Sequence, residues 1–173
     1  MKALIVDDEP DIREELGEFV ELQLGLSVAL ASNGEEALGK YFADPEISII
    51  LSDLMMPGLN GLEMLDSIND APGSHQRVRR VIFMTANGNT QSVQRAMHLG
   101  AKEFLLKPVD LDELERHLAS AMREVAAEQA RQTEETLLKQ QVTLNSAEIS
   151  ALHRNVEEAY AQALACLAAA AEH

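Results

Sequence analysis

Four polar spots in this 173-residue chain share a position: each closes or directly follows a short apolar run. Asp7 and Asp8 follow residues 3–6, Asp53 follows 47–52, Thr85 ends 81–85, and Lys107-Pro108 follows 103–106. Three carboxylates brought into one cleft repel each other unless a hard cation sits among them. Mg²⁺ accepts such oxygen ligands and keeps several waters, which leaves room for phosphate oxygens. Lys107 then adds a point charge and Thr85 a hydroxyl donor for the remaining oxygens of a phosphoryl group. The chemistry implied is metal-assisted handling of phosphate.

That chemistry requires elements that bring distant segments together. Apolar runs at 3–6, 27–31, 47–52, 81–85 and 103–106 read as short strands covered on both faces. Helix-period segments alternate with them. The first runs from about Asp11 to Leu24 with Ile12, Leu16, Phe19 and Val20 on one face, and closes at Gly25. Others start at Asn33-Gly34, at Gly61 and near Thr90, and the fifth starts at Asp110, whose carboxylate can cap it. Strict alternation predicts an α/β fold, a five-stranded doubly wound parallel sheet. In such sheets ligands bind outside the carboxyl ends of the strands, where the four polar spots fall.

Read one at a time these residues are ordinary: Asp7 and Asp8 could cap a helix, Asp53 could serve a turn, and Lys107 could be a surface lysine. Their order and context weigh against that. The segments are Val6-Asp7-Asp8-Glu9-Pro10, Leu51-Ser52-Asp53-Leu54-Met55-Met56-Pro57-Gly58-Leu59-Asn60-Gly61, Met84-Thr85-Ala86, and Gly100-Ala101-Lys102-Glu103-Phe104-Leu105-Leu106-Lys107-Pro108. Together they resemble bacterial response-regulator receiver domains over residues 1–124.

The resemblance implies a flavodoxin-like receiver fold and a role for each residue. Asp53 is the phosphoacceptor that takes a phosphoryl group from a sensor histidine kinase or phosphotransfer protein. Asp8 binds Mg²⁺ directly and Asp7 through water, with Asp53 and the Met55 carbonyl completing the protein ligands. Lys107 pairs with the phosphoryl group, and its peptide to Pro108 is typically cis. Thr85 swings toward the phosphoryl group, and small Ala86 leaves its N–H accessible to it. Phe104 holds the aromatic switch position, where Tyr is common; Phe104 lacks the hydroxyl contacts of Tyr. The expected function is that of a phosphoacceptor switch, not an enzyme.

After residue 110 there is no Pro or Gly, and Ala, Glu, Gln and Leu dominate. The fifth helix is therefore expected to continue into a long coiled-coil extension at 125–173. Leu111, Leu118 and Val125 are seven apart. Val142, Ile149, Val156, Ala163 and Ala170 form a second seven-residue series, with Leu138, Leu152, Ala159 and Cys166 on the companion positions and Asn145 a polar core position. The offset between the series is a three-residue shift, which overwinds a coiled coil locally. The seam predicts a homodimer through the tail; a helix packed back on its own domain is the other arrangement. The stretch 159–173 also resembles the lead-in helix of HD-GYP cyclic-di-nucleotide phosphodiesterase domains. On that reading the chain is the regulatory half of a larger enzyme. A third reading is a stand-alone scaffold that binds a partner helix.

Bulk properties exclude other classes. The net charge of -15 and an aromatic content of 3% argue against nucleic acid as a partner. One cysteine, Cys166, rules out an intrachain disulfide, and no apolar stretch reaches transmembrane length, so a cytoplasmic protein is expected. His75, His98, His117, His153 and His173 have no metal-binding spacing, and Met55, Met56 and Met64 read as core and loop filler. Arg77, Arg79 and Arg80 read as a solvated loop balancing an acidic domain rather than as a dock for an acidic partner.

Overall fold

The computed structural model describes residues 1–73, 77–86, 90–101 and 103–171. Among them five strands and five helices alternate: β1 Lys2–Val6, α1 Pro10–Leu24, β2 Ser27–Ala31, α2 Gly34–Ala43, β3 Ile47–Asp53, α3 Gly61–Asp70, β4 Arg80–Thr85, α4 Thr90–His98, β5 Glu103–Leu106 and α5 Leu111–Ala171. All neighbouring strands are parallel, in the order β2-β1-β3-β4-β5. The expected doubly wound sheet is observed. Asp53 is the last residue of β3 rather than the first beyond it.

Strand periodicity divides the core in two. Leu4, Val6, Ile50 and Phe83 pack with Ala37 and Tyr41 of α2, Leu62, Leu65 and Ile68 of α3, and Ala96 of α4. Ala3, Ile5, Ile49, Leu51, Ile82 and Met84 point to the other face, against Leu16 and Val20 of α1 and Leu114, Leu118, Ala121 and Val125 of α5. Each fully buried aliphatic side chain contributes about 1.5–3 kcal/mol.

Local chemistry sets the helix ends. Gly25 takes φ 63° and donates its N–H to Glu21 O, closing α1. Asn33 caps α2, and Asn60 with Glu63 forms a reciprocal capping box on α3. The Asp110 carboxylate accepts from the N–H groups of Asp112 and Glu113 and opens α5.

Two expectations are corrected. The arginines at 77–80 are not a solvated loop. Arg77 lies 3.9 Å over the Tyr41 ring and donates to the carbonyls of Tyr41, Asp44 and Ile47. It thereby ties carbonyls at the end of α2 to one at the start of β3. Arg79 donates to Asn69 Oδ1, and Arg80 pairs with Glu124 at 2.7 Å. The Leu111, Leu118, Val125 series is not a coiled-coil seam either. Leu111 is exposed, while Leu118 and Val125 join Leu114 and Ala121 as the buried face of α5 in its own domain. No overwinding between two seams is therefore involved.

The chain divides into two compact units, Met1–Glu128 and Gln129–His173. In the second unit Leu137, Leu138, Val142, Leu144, Ile149, Leu152, Val156 and Tyr160 are all exposed. Thr133, Thr136, Thr143 and Ser150 return their hydroxyls to the carbonyl four residues back, so these helix-poor residues bond within the helix. His75, His173 and the side chains of Cys166 and Ala170 lie outside the described residues.

Candidate functional site

Parallel pairing aligns the strand ends that carry the polar residues. β1 and β3 are in register from Ala3 with Ile49 to Val6 with Ser52, so Asp7 and Asp53 emerge side by side at the carboxyl edge. Asp7 is anchored by its own N–H to Ala31 O (3.1 Å) and β3 continues through Leu54 N–H to Met84 O (2.9 Å). Past β5, the Lys107 N–H donates to Thr85 O at 2.9 Å, which fixes the lysine beside the end of β4.

Side-chain oxygens of Asp7, Asp8 and Asp53 lie within 4.8 Å of one another. Asp7 is fully buried, Asp53 is 7% exposed, and Asp8 faces solvent. Lys107 Nζ donates to Asp7 Oδ2 at 2.8 Å and to Asp53 Oδ2 at 2.5 Å. Burial of the ammonium works against its charge, but the hydrogen bonds and the charges of Asp53 and Asp7 outweigh that, and its pKa lies above the usual lysine value. Three carboxylates against one ammonium leave the cluster with a formal charge of about −2 when all are ionised, which suits a divalent cation. The donor set fits such an ion: three hard oxygens close together, one of them open to water.

Other bonds hold the carboxylates in place. Asp53 Oδ1 accepts from the Met55 N–H at 2.9 Å, and Asp7 Oδ1 accepts from the Glu9 N–H at 3.0 Å. Asp53 Oδ2 is thus the oxygen paired with a side chain, Lys107, rather than with the backbone. Thr85 is buried at the end of β4, and Ala86 beyond it is exposed. Phe104 is half-buried, its ring centroid 6.0 Å from that of Phe83 at 28° between planes. The Lys107-Pro108 peptide is cis.

The strand-end reading brings Asp7, Asp8, Asp53 and Lys107 into direct proximity, with Thr85 linked to Lys107 through the backbone. Met55 reaches Asp53 through its N–H, while its side chain is largely exposed.

Two supporting residues were not legible in this role. Arg13, in the first turn of α1, donates to the Asp7 carbonyl at 2.6 Å. A contact to backbone leaves no complementary residue type to find, so only its place on the helix, six residues after Asp7, could have hinted at it. Gly61 packs so close that an added Cβ would fall 2.4 Å from the Asp53 carbonyl oxygen. It was visible as a motif glycine, and its reason was not.

A family described as the response regulator receiver domain matches residues 3–119. The chain is 37% identical over 113 residues to the regulatory protein AtoC of Escherichia coli, covering 65% of this chain and 23% of that protein. It is 32% identical over 123 residues to a cyclic di-GMP phosphodiesterase of Thermotoga maritima, covering 71% of this chain and 31% of that one. Among solved structures it resembles one from the Saccharomyces cerevisiae complex of the histidine phosphotransfer protein Ypd1 with the receiver domain of Ssk1. There the TM-score is 0.63 at 26% identity, over 70% of this chain and 88% of that one. The chain spans about a quarter of the first relative's length and a third of the second's.

Proposed function

The chain belongs to the response regulator receiver family, and on that premise we propose that Asp53 is its phosphoacceptor, served by Lys107, Thr85 and Ala86 in a Mg²⁺-dependent site. The observation that carries this is the Asp53 carboxylate at the strand edge, bonded to Lys107 and crowded by Asp7 and Asp8. An Asp53 carboxylate oxygen attacks the phosphorus of a phosphohistidine on a kinase or phosphotransfer protein. A P–O bond forms, the P–N bond breaks, and its electron pair returns to the imidazole. Asp7, Asp8, Asp53 and the Met55 carbonyl would hold Mg²⁺, which when bound neutralises charge on the phosphoryl oxygens. Lys107 exchanges its carboxylate partner for a phosphoryl oxygen, and the Thr85 hydroxyl and Ala86 N–H bond to the others.

The new charge biases Thr85 and Phe104, and with them the surface of α4, β5 and α5. We read residues 1–124, with Val125 closing their core, as the receiver and the rest of 125–173 as a helical extension through which two copies dimerise, the whole acting as a switch in the cytoplasm. Among the described residues no helix is long and apolar enough to cross a membrane. A second reading, the regulatory half of a cyclic-di-GMP phosphodiesterase, is favoured by the Thermotoga relative and by the alanine-rich end of the tail. A tail that binds a heterologous helix when isolated would instead support the scaffold reading.

Incubation with acetyl phosphate and Mg²⁺ tests the acceptor. One base-labile phosphoryl group is expected on the wild type and none on Asp53→Asn; an equal adduct on the variant overturns the assignment.

A further inference from the structure

We infer that the tail recognises a second copy of this chain in one direction only, parallel and in register, and that side chains flanking its apolar seam set that direction. The inference rests on the dimer reading above and adds orientation and partners. The unit from Gln129 onward is helical through Ala171, and Leu138, Val142, Ile149, Leu152 and Val156 stand exposed along it. Val142 is 68% and Leu152 63% exposed, so the seam is uncovered within the chain.

In a parallel two-helix pair, the residue just before each Val142-type position meets, on the other helix, the residue five further on, just after a Leu138-type position. The first set is Glu134, Gln141, Glu148, Asn155 and Gln162; the second is Lys139, Ser146, His153 and Tyr160. The first set holds acids and no base. The second holds bases and no acid. Parallel pairing therefore sets Glu134 against the partner's Lys139, Glu148 against the partner's His153, and Asn155 against the partner's Tyr160. Antiparallel pairing joins each set to itself, so neither glutamate meets a cation and Lys139 and His153 meet no acid.

Register follows from the seam itself. Asn145 interrupts the apolar positions between Leu138 and Leu152. In register its amide bonds to the partner's Asn145, whereas a slip of one heptad places it against leucine, with its donors and acceptors unmet. Lys139 is held by Glu135 at 2.6 Å in the same chain, but both side chains are more than half exposed. An exchange of that bond for the partner's Glu134 therefore costs little. The groups that face His153 are Glu157, one turn further along its own helix, and the partner's Glu148. In a parallel pair the His153 ring N–H thus has a carboxylate of the second copy to donate to.

The test uses the full chain with Cys166→Ser, so that an added cysteine reports alone. With Leu138→Cys, oxidation by copper–phenanthroline in air is expected to give a disulfide-linked dimer at high yield. In an antiparallel pair centred on the seam the two cysteines lie about 30 Å apart and do not link. Sedimentation equilibrium should give a dimer dissociation constant about threefold higher for His153→Ala than for the otherwise identical chain, because two symmetry-related Glu–His pairs are lost. His153→Glu should weaken the dimer, and Glu148→Lys with His153→Glu should restore it. A dimer without the Leu138→Cys cross-link overturns the parallel arrangement while leaving dimerisation intact. A Glu148→Lys, His153→Glu double variant no tighter than His153→Glu alone overturns the Glu148–His153 pair. A monomeric wild type at about ten times the concentration of an ordinary micromolar dimer overturns the dimer reading itself.

Discussion

The Lys107 ammonium lies 2.5 Å from Asp53 Oδ2 and 2.8 Å from Asp7 Oδ2, though Lys107 follows β5, Asp53 ends β3 and Asp7 follows β1. The lysine reaches over β4 and bridges both carboxylates at the mouth of the sheet, with its side chain 12% exposed. Two anions share one cation here, and the solvent-facing Asp8 beside them adds a third, so the cluster keeps an excess of negative charge.

Lys107→Met should therefore destabilise the protein most when divalent cations are chelated. Removal of one member of a mostly buried pair costs about 3–5 kcal/mol, and partial exposure of the site brings the expectation to about 2–3 kcal/mol. Saturating Mg²⁺ should recover a large part of it by replacing the lost positive charge. Urea unfolding with EDTA and with Mg²⁺ measures both values; an equal loss in the two buffers would show that the lysine matters only through packing.

On the proposed Mg²⁺ site, Mg²⁺ alone should raise the melting temperature of the wild type, because it would bind the folded acidic cluster and not the unfolded chain. At a hundredfold excess over its dissociation constant the gain is about 2.7 kcal/mol. Asp8→Ala removes the one carboxylate of the three that faces solvent, and most of the shift should disappear. A full Mg²⁺ response in that variant would place the ion elsewhere.

Glu36 offers a test of acid stability away from the site. Its carboxylate accepts from Lys40 Nζ at 2.7 Å and from the N–H and Oγ of Ser32, and its pKa is lowered to about 2. A depressed carboxyl stabilises the fold above its unfolded value, and that contribution is lost as pH falls through the folded one. The side chain is 40% exposed, so solvent screening reduces the contribution to about 1 kcal/mol. Glu36→Gln should be less stable than wild type by that amount at pH 7. The two curves should converge as pH falls from about 4.5 to about 2. A gap that persists at the acid end would assign the effect to the hydrogen bonds rather than the charge.

Much of this was legible in the sequence, and the exceptions share a cause. The alternation of apolar runs with helical periods marks the strands to within a residue, since a strand buried on both faces is mainly apolar, as Ile47, Ile49, Ile50 and Leu51 make β3. Asp7, Asp53 and Lys107 could be gathered because sheet topology alone brings strand ends together. Arg77 and Arg13 could not. Their partners are carbonyl groups, which every residue carries, so side-chain type gives no clue to the contact. The seven-residue spacing of Leu111, Leu118 and Val125 misled for another reason. A helix docked on a sheet and a helix docked on another helix both bury a stripe at the same period.

Gly61 should tolerate no side chain. A Cβ there would meet the Asp53 carbonyl oxygen at 2.4 Å and the Phe83 ring at 2.9 Å, so backbone would have to move beside the acceptor. Gly61→Ala should cost about 2–3 kcal/mol and slow phosphorylation by acetyl phosphate. Gly58→Ala is the control: its φ of 77° disfavours alanine by about 1 kcal/mol, but nothing lies within 4 Å of the added carbon. Thermal melts and phosphorylation rates for both variants decide it, and equal effects would mean that backbone freedom, not space, selects the glycine.

The end of the receiver can be located by truncation. Val125 is fully buried with Leu114, Leu118 and Ala121, while no large apolar residue beyond it is buried among the described residues. A chain ending at residue 128 keeps that face whole and loses only the exposed seam. It should fold with nearly the stability of the full receiver, accept one phosphoryl group at Asp53, and sediment as a monomer. A chain ending at residue 120 loses Ala121 and Val125, uncovers Leu118, and removes Glu124 from Arg80. Burial of one large aliphatic side chain contributes about 1.5–3 kcal/mol, so a loss of about 3 kcal/mol is expected. Urea unfolding of the two truncated chains beside the full one measures this. Equal stability at 120 and 128 would mean that the last two turns of the buried face do not hold the receiver together. A residue-128 chain as dimeric as the whole would remove the tail from dimerisation.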